Sequence, residues 1–145
     1  MEIKTGEIVS VFSILSSAKL TKMESSDKFK VIKAMRVMTP IDEEWKSFLK
    51  TVDEKLKKDD FEEMAEKARK WEQEKENSTF TDEEKAEINK YFNDFAIEKN
   101  KCIEDELNKA IELDYEKISE NALEKLFDSN DFDVNQMLIL DKFLK

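Results

Sequence analysis

The chain holds no histidine, one cysteine, one glycine and one proline in 145 residues, and each scarcity removes a class of chemistry. Without histidine, a Ser-His-Asp or Cys-His relay lacks its usual general base. The Glu-x-x-His pairs of carboxylate-bridged di-metal bundles are missing for the same reason. One glycine, Gly6, builds neither a G-x-x-x-x-G-K phosphate loop nor a G-x-G-x-x-G turn. Cys102 has no partner for an intrachain disulfide, which fits a cytosolic setting. The ordinary role of such a residue is that of a small buried hydrophobe. All-β folds use Gly and Pro in their turns, so Gly6 and Pro40 standing alone predict helices joined by short polar turns. No stretch reaches the ~18 consecutive apolar residues of a membrane span. Residues 8–15 (IVSVFSIL) follow Glu2, Lys4 and Glu7, a poor charged lead for a signal peptide, and none is expected.

Charge and aromatic bulk are plentiful. Charged residues make up 41% of the chain, against about 25% in an average domain. Hydrophobic residues make up 39%, and ten Phe with two Trp supply enough bulk for a core. The length predicts a single helical domain over residues 1–145. The net charge of −10 is uneven: residues 1–40 hold seven Lys/Arg against four acids, giving +3, and the remainder holds 18 against 31, giving −13. An acidic body disfavours direct nucleic-acid binding, because phosphate contacts need clustered cations. Lys28, Lys30, Lys33 and Arg36 form the one basic cluster, and four cations read most simply as solvated or paired to acids.

Hydrophobic spacing predicts a mainly α fold, a helical bundle with long helices and a minor two-stranded antiparallel β-ribbon. Met1–Thr5 alternates apolar and polar residues, as does Ile111–Tyr115. An isolated short strand is marginal, so residues 1–5 are expected to pair with 111–115. Gly6 is expected to turn the chain into a helix over 7–23. Ser26 is expected to cap a second helix. Thr39-Pro40 suits a new helix start, the alternative being a proline inside one longer helix. Beyond Leu56 the phase breaks, so either one helix runs on with a stutter or Asp60 caps another. Residues 59–76 read as a charged helical arm projecting from the body. Thr81 with Glu84 is a capping box opening a helix over 82–110. Ser119 caps a short helix, and Asp133 with Gln136 caps the last.

The sequence offers few candidate sites. Asp131, Asp133 and Asn135 match the first half of a calcium loop, but Gln136 stands where Gly is needed and Lys142 where Glu is needed. Acids at a helix start are the simpler reading. No acid pair stands out among 35 Asp and Glu, so the chain is expected not to be an enzyme and to need no cofactor or metal. Trp45 lies on an apolar stripe and is expected in the core. Trp71 sits on a very polar helix and is expected to anchor a partner, since Trp is enriched at interface hot spots. The last helix is apolar nearly all round, which assigns Met137, Ile139 and Leu140 to partner binding as well.

The segments MEIKTGEI, MTPIDEEWKSFLKTVDEKL, DELNKAIELDY and VNQMLILDKFLK together resemble a family of short helical proteins encoded by tailed phages and prophages. The resemblance covers both ends and part of the middle. It implies a short first strand, a proline-bearing helix, a later helix running into an extended ELD strand, and an apolar C-terminal helix. Residues 58–80 depart from it, reading as a charged helix where the family has a variable loop. The family has no assigned activity, so no functional residue is carried over. The resemblance implies an accessory protein of the host cytoplasm or the virion. It is expected to act by protein–protein contact, as in virion assembly, on a phage structural protein, a host protein or another copy of itself. Two other readings follow from the acids. One is a decoy occupying the nucleic-acid site of a host defence protein, although Lys46, Lys50, Lys55, Lys57 and Lys58 interrupt the acidic run. The other is a carboxylate-only metal-binding protein.

Overall fold

The structure, a computed structural model, describes residues 1–145. It is mainly α with a minor ribbon. The elements run β1 (Glu2–Lys4), α1 (Thr5–Ser16), α2 (Ser25–Leu56), α3 (Phe61–Glu74), α4 (Asp82–Leu107), β2 (Ala110–Glu112), α5 (Glu120–Asp128) and α6 (Val134–Leu144), with a 3₁₀ turn at Lys75–Asn77. No helix is long and apolar enough to cross a membrane. The chain resolves into two compact units, residues 1–47 with 106–145 and residues 48–105.

The expected ribbon forms in the first unit. β1 and β2 pair antiparallel, with Glu2 opposite Glu112, Ile3 opposite Ile111 and Lys4 opposite Ala110. The Leu113 amide extends the ladder by donating to the Met1 carbonyl at 2.9 Å. Alternation carries this pairing, for Ile3 is buried while Glu2 and Lys4 are exposed. The second strand starts one residue earlier than its alternation suggests and ends at Glu112. Past that point the chain serves α6 instead. The Tyr115 hydroxyl and the Lys117 ammonium both donate to the Phe143 carbonyl, at 2.6 and 2.8 Å. The Ile118 amide donates to the Leu144 carbonyl at 2.7 Å. These groups satisfy carbonyls that every helix leaves open at its C-terminus.

Gly6 is not a turn residue. It is the second residue of α1 and has no positive φ. A Cβ there would meet Leu107 at 3.4–3.5 Å, an ordinary packing contact between α1 and the end of α4. The first helix also ends at Ser16 rather than reaching residue 23. The loop after it is held by Asn130, whose side chain accepts from the Lys19 amide and donates to the Lys19 carbonyl, both at 2.7 Å. Two backbone groups of one loop residue are thereby satisfied outside any helix.

α2 starts at Ser25, one residue before the expected cap, and runs unbroken through Pro40. The alternative of a proline inside a longer helix therefore holds. Pro40 has no N–H to offer the Arg36 carbonyl, and the Thr39 hydroxyl donates to the Met35 carbonyl at 2.8 Å. An interior proline costs a helix about 3 kcal/mol. Against this, Val31, Ala34, Met38 and Ile41 fall on one buried face spanning the proline. Each large apolar side chain buried contributes roughly 1.5–3 kcal/mol, so burial outweighs the proline and the helix keeps its phase. Pro40 itself faces outward.

The first unit encloses a single apolar core, with Ile8 and Val11 of α1, Val31 and Met38 of α2, Leu126 of α5, and Leu140 and Leu144 of α6 at its centre. Thr5 is buried at its edge, where its amide and hydroxyl both donate to the Lys109 carbonyl, at 2.9 and 3.1 Å.

In the second unit, α2 stops at Leu56 and α3 begins after Asp60, so the phase break separates two helices. Asp60 holds the capping position without a side-chain cap bond, and its carboxylate accepts from the Tyr91 hydroxyl at 2.9 Å. α3 packs by rings: Phe61 lies 5.3 Å from Phe95 and 5.9 Å from Phe92, centroid to centroid. Lys75, at φ 50°, ends α3. The Thr81–Glu84 capping box forms in both directions, at 3.2 and 3.1 Å. α4 ends at Leu107, three residues before its expected limit, because the ribbon claims Ala110.

Candidate interaction surface

Of the four side chains assigned to partner binding, three lie on α6 in the first unit and Trp71 lies on α3 in the second. Leu140 is 0% exposed and belongs to the core of the first unit. Met137, Ile139 and Trp71 are half-buried. Trp71 lies in the second unit, with the Lys85 ammonium 5.9 Å from its ring. α6 is apolar nearly all round, and only packing decides which side faces inward. Its inner face is Leu140, Phe143 and Leu144. That phase turns Val134 and Leu138, one turn apart, outward at 67% and 62% exposure. These are the two most exposed large apolar side chains of the molecule. The signal for them was present in the spacing of four residues, but the unbroken apolar run from Met137 to Leu140 masked it.

A second exposed apolar group lies on α2, where Phe29, Ile32 and Val37 are 49%, 44% and 38% exposed. The basic cluster accompanies it. Lys30 pairs with Glu116 at 3.5 Å, and the Lys33 ammonium sits 4.7 Å over the Phe29 ring. The Lys30 pairing is the expected one to acidic residues.

The calcium-like stretch has become a helix start. The Asp133 carboxylate accepts from the Gln136 amide at 2.8 Å, and the Gln136 side chain accepts from the Asp133 amide at 3.0 Å. No three His, Cys, Asp or Glu side chains converge closely enough to hold a metal ion. Cys102 is half-buried on α4.

An open groove of about 370 Å³ in the first unit is lined by Gly6, Ser10, Leu107 and Phe143, with Lys4, Glu7 and Lys142 at its rim. Its polar groups engage each other. Lys142 pairs with Glu7 at 2.9 Å, and the Ser10 hydroxyl donates to the Gly6 carbonyl at 2.9 Å. The hydrogen bond from Lys142 holds the Glu7 carboxyl below its ordinary pKa, against the opposing effect of burial. A carboxylate so held stays ionised and paired, which suits it poorly to proton transfer. Nearby, burial pushes the Tyr115 hydroxyl up and the Lys117 ammonium down. Both groups donate to the end of α6, so these shifts accompany a structural cap.

The acids of α2 and α3 are interleaved with cations. Lys46 pairs with Asp42, Lys57 with Glu54, Lys67 with Glu63, Arg69 with Glu66 and Lys70 with Glu74. These pairs are local, three or four residues apart on a helix. They leave surfaces of mixed sign. Comparison with family models, curated proteins and solved structures finds no match to this chain.

Proposed function

We propose that this protein is non-enzymatic and works by protein–protein contact, as an accessory protein of a phage or prophage in the manner of virion assembly. The observation that carries the contact reading is the outward pair Val134 and Leu138 on α6. An apolar pair on a helix whose other face fills the core gains most when a partner covers it. The family resemblance of the two ends and the middle of the chain supports the phage setting. The mixed sign of α2 and α3 offers no continuous anionic face of the kind an acidic decoy needs, so the decoy reading has less support.

The test is affinity purification from a host carrying the phage, with the natural protein and a Val134→Glu/Leu138→Glu variant in parallel. Both positions are exposed, so the variant is expected to keep the helical circular dichroism of the parent. A phage or host protein retained by the parent and lost by the variant supports the reading. Identical sets of retained proteins would remove α6 as the contact.

A further inference from the structure

One face of α2 is exposed over five turns. Residues 29, 33, 36, 40, 43 and 47 follow the alternation of four and three that marks a single helix face, and all six are exposed. Ile32, Val37 and Glu44 flank them and are exposed too. The order along the stripe is polar in the charge sense. Phe29, Ile32, Lys33, Arg36 and Val37 occupy the first half, Pro40 lies near the middle, and Glu43 and Glu44 occupy the second half. Arg36, Glu43 and Glu44 form no ion pair within the molecule, unlike Asp42, which pairs with Lys46 at 2.7 Å.

A stripe that is basic and apolar at one end and acidic at the other complements itself when reversed. We infer that this face is the docking site of a second copy of the chain, paired antiparallel about a two-fold axis. Crossing at the level of Met38 sets Lys33 of each copy opposite Glu43 of the other, and Arg36 opposite Pro40. Each ionic contact occurs twice, as a two-fold requires. A parallel pairing would stack Lys33 and Arg36 on their own counterparts, which like-charge repulsion disfavours. The net charge of −10 on each copy opposes association, but at ~0.15 M salt the screening length is about 8 Å, so contact pairs outlast the long-range repulsion.

The stripe is about 27 Å long at 1.5 Å per residue. One helix face of that length falls short of the roughly 800 Å² per partner of a stable complex. The dimer is therefore weak and concentration-dependent. It stands on α2 alone and does not need the outward pair on α6.

Sedimentation of the full chain at rising concentration, up to about 1 mM, reads it directly. The mass should rise from 17.1 kDa toward twice that value. Lys33→Glu/Arg36→Glu and Glu43→Lys/Glu44→Lys should each weaken association at least about tenfold, since each turns opposite charges into like ones. Mixing the two variants should restore a dimer made of one of each. Leu138→Glu should leave association unchanged, which separates this inference from the α6 reading. A parent protein that stays at 17.1 kDa throughout overturns the proposal, as do variants that associate like the parent or a mixture that does not pair. Binding of the parent to phosphatidylcholine–phosphatidylglycerol vesicles, lost in Lys33→Glu/Arg36→Glu without any dimer, would make an anionic surface the occupant and overturn it too.

Discussion

The first unit gathers seventeen buried apolar side chains into one cluster, from Ile3 of β1 to Leu144 of α6. The second, residues 48–105, buries Val52, Met64 and Ile88 and leaves its aromatic rings half-exposed. Charge runs the other way. The second unit carries twelve Lys/Arg and eighteen acids in 58 residues, while the first carries thirteen and seventeen in 87. So the same thirty charges are spread over half again as much chain in the first unit. The lesson is that helix content and stability have separate origins here. Both units are helical, but one draws on burial and the other on ring contacts, caps and local ion pairs. Ring contacts contribute about 0.5–1.5 kcal/mol each and exposed ion pairs less. The second unit is therefore expected to open at lower cost than the first.

The widest contrast should come from one substitution in each unit. Leu126→Ala removes a side chain of 0% exposure and is expected to cost about 2–5 kcal/mol in chemical denaturation. Phe61→Leu removes a ring from the Phe92–Phe95 cluster and should cost roughly 0.5–1.5 kcal/mol. Hydrogen exchange after Phe61→Leu should quicken within residues 48–105 and leave the amides of α1 and α5 as they were. Equal quickening in both units would erase the distinction.

Caps offer a smaller and more even comparison. Asp133→Ala in the first unit and Thr81→Ala in the second each break a reciprocal capping box. Both are expected to cost about 1 kcal/mol, because a cap acts on its own helix end whatever core lies beneath. Thermal melts that differ widely between the two would show that the unit modulates its caps.

The smallest effect concerns pH. Glu7 is held below its ordinary pKa chiefly by the hydrogen bond from Lys142. A carboxyl with a depressed folded-state pKa stabilises the fold fully above the unfolded value of about 4.3, and that contribution is lost as pH falls through the folded value. Both side chains are more than a third exposed, so the pair contributes under about 1 kcal/mol. Glu7→Gln should lower stability slightly at neutral pH and match the parent in strong acid.

Much of the fold was legible in the chain itself, because the signals that wrote it are local. Thr81 with Glu84, Ser119, and Asp133 with Gln136 cap helices through bonds between residues three apart. The ribbon was legible for a related reason: alternation marks a strand in five residues, and two lone short strands have only each other to pair with. The paired residues are Glu2–Lys4 and Ala110–Glu112.

Local signals fall silent where several outcomes cost nearly the same. Thr39-Pro40 reads first as a helix start, and burial of Val31, Ala34, Met38 and Ile41 on one face carries α2 through it instead. The length suits one domain, while the division into two units follows from which residues lie close in space. On α6, four neighbouring apolar residues leave the inward phase undefined until the core is assembled. Asn130 holds Lys19 across 111 residues, a contact no short-range pattern announces. The sequence by itself determined the caps that open α4, α5 and α6 and the pairing of its two short strands. Tertiary structure decided which faces are left outside, Val134 and Leu138 on α6 and the stripe from Phe29 to Ser47 on α2, because a face is exposed only relative to everything else that is packed.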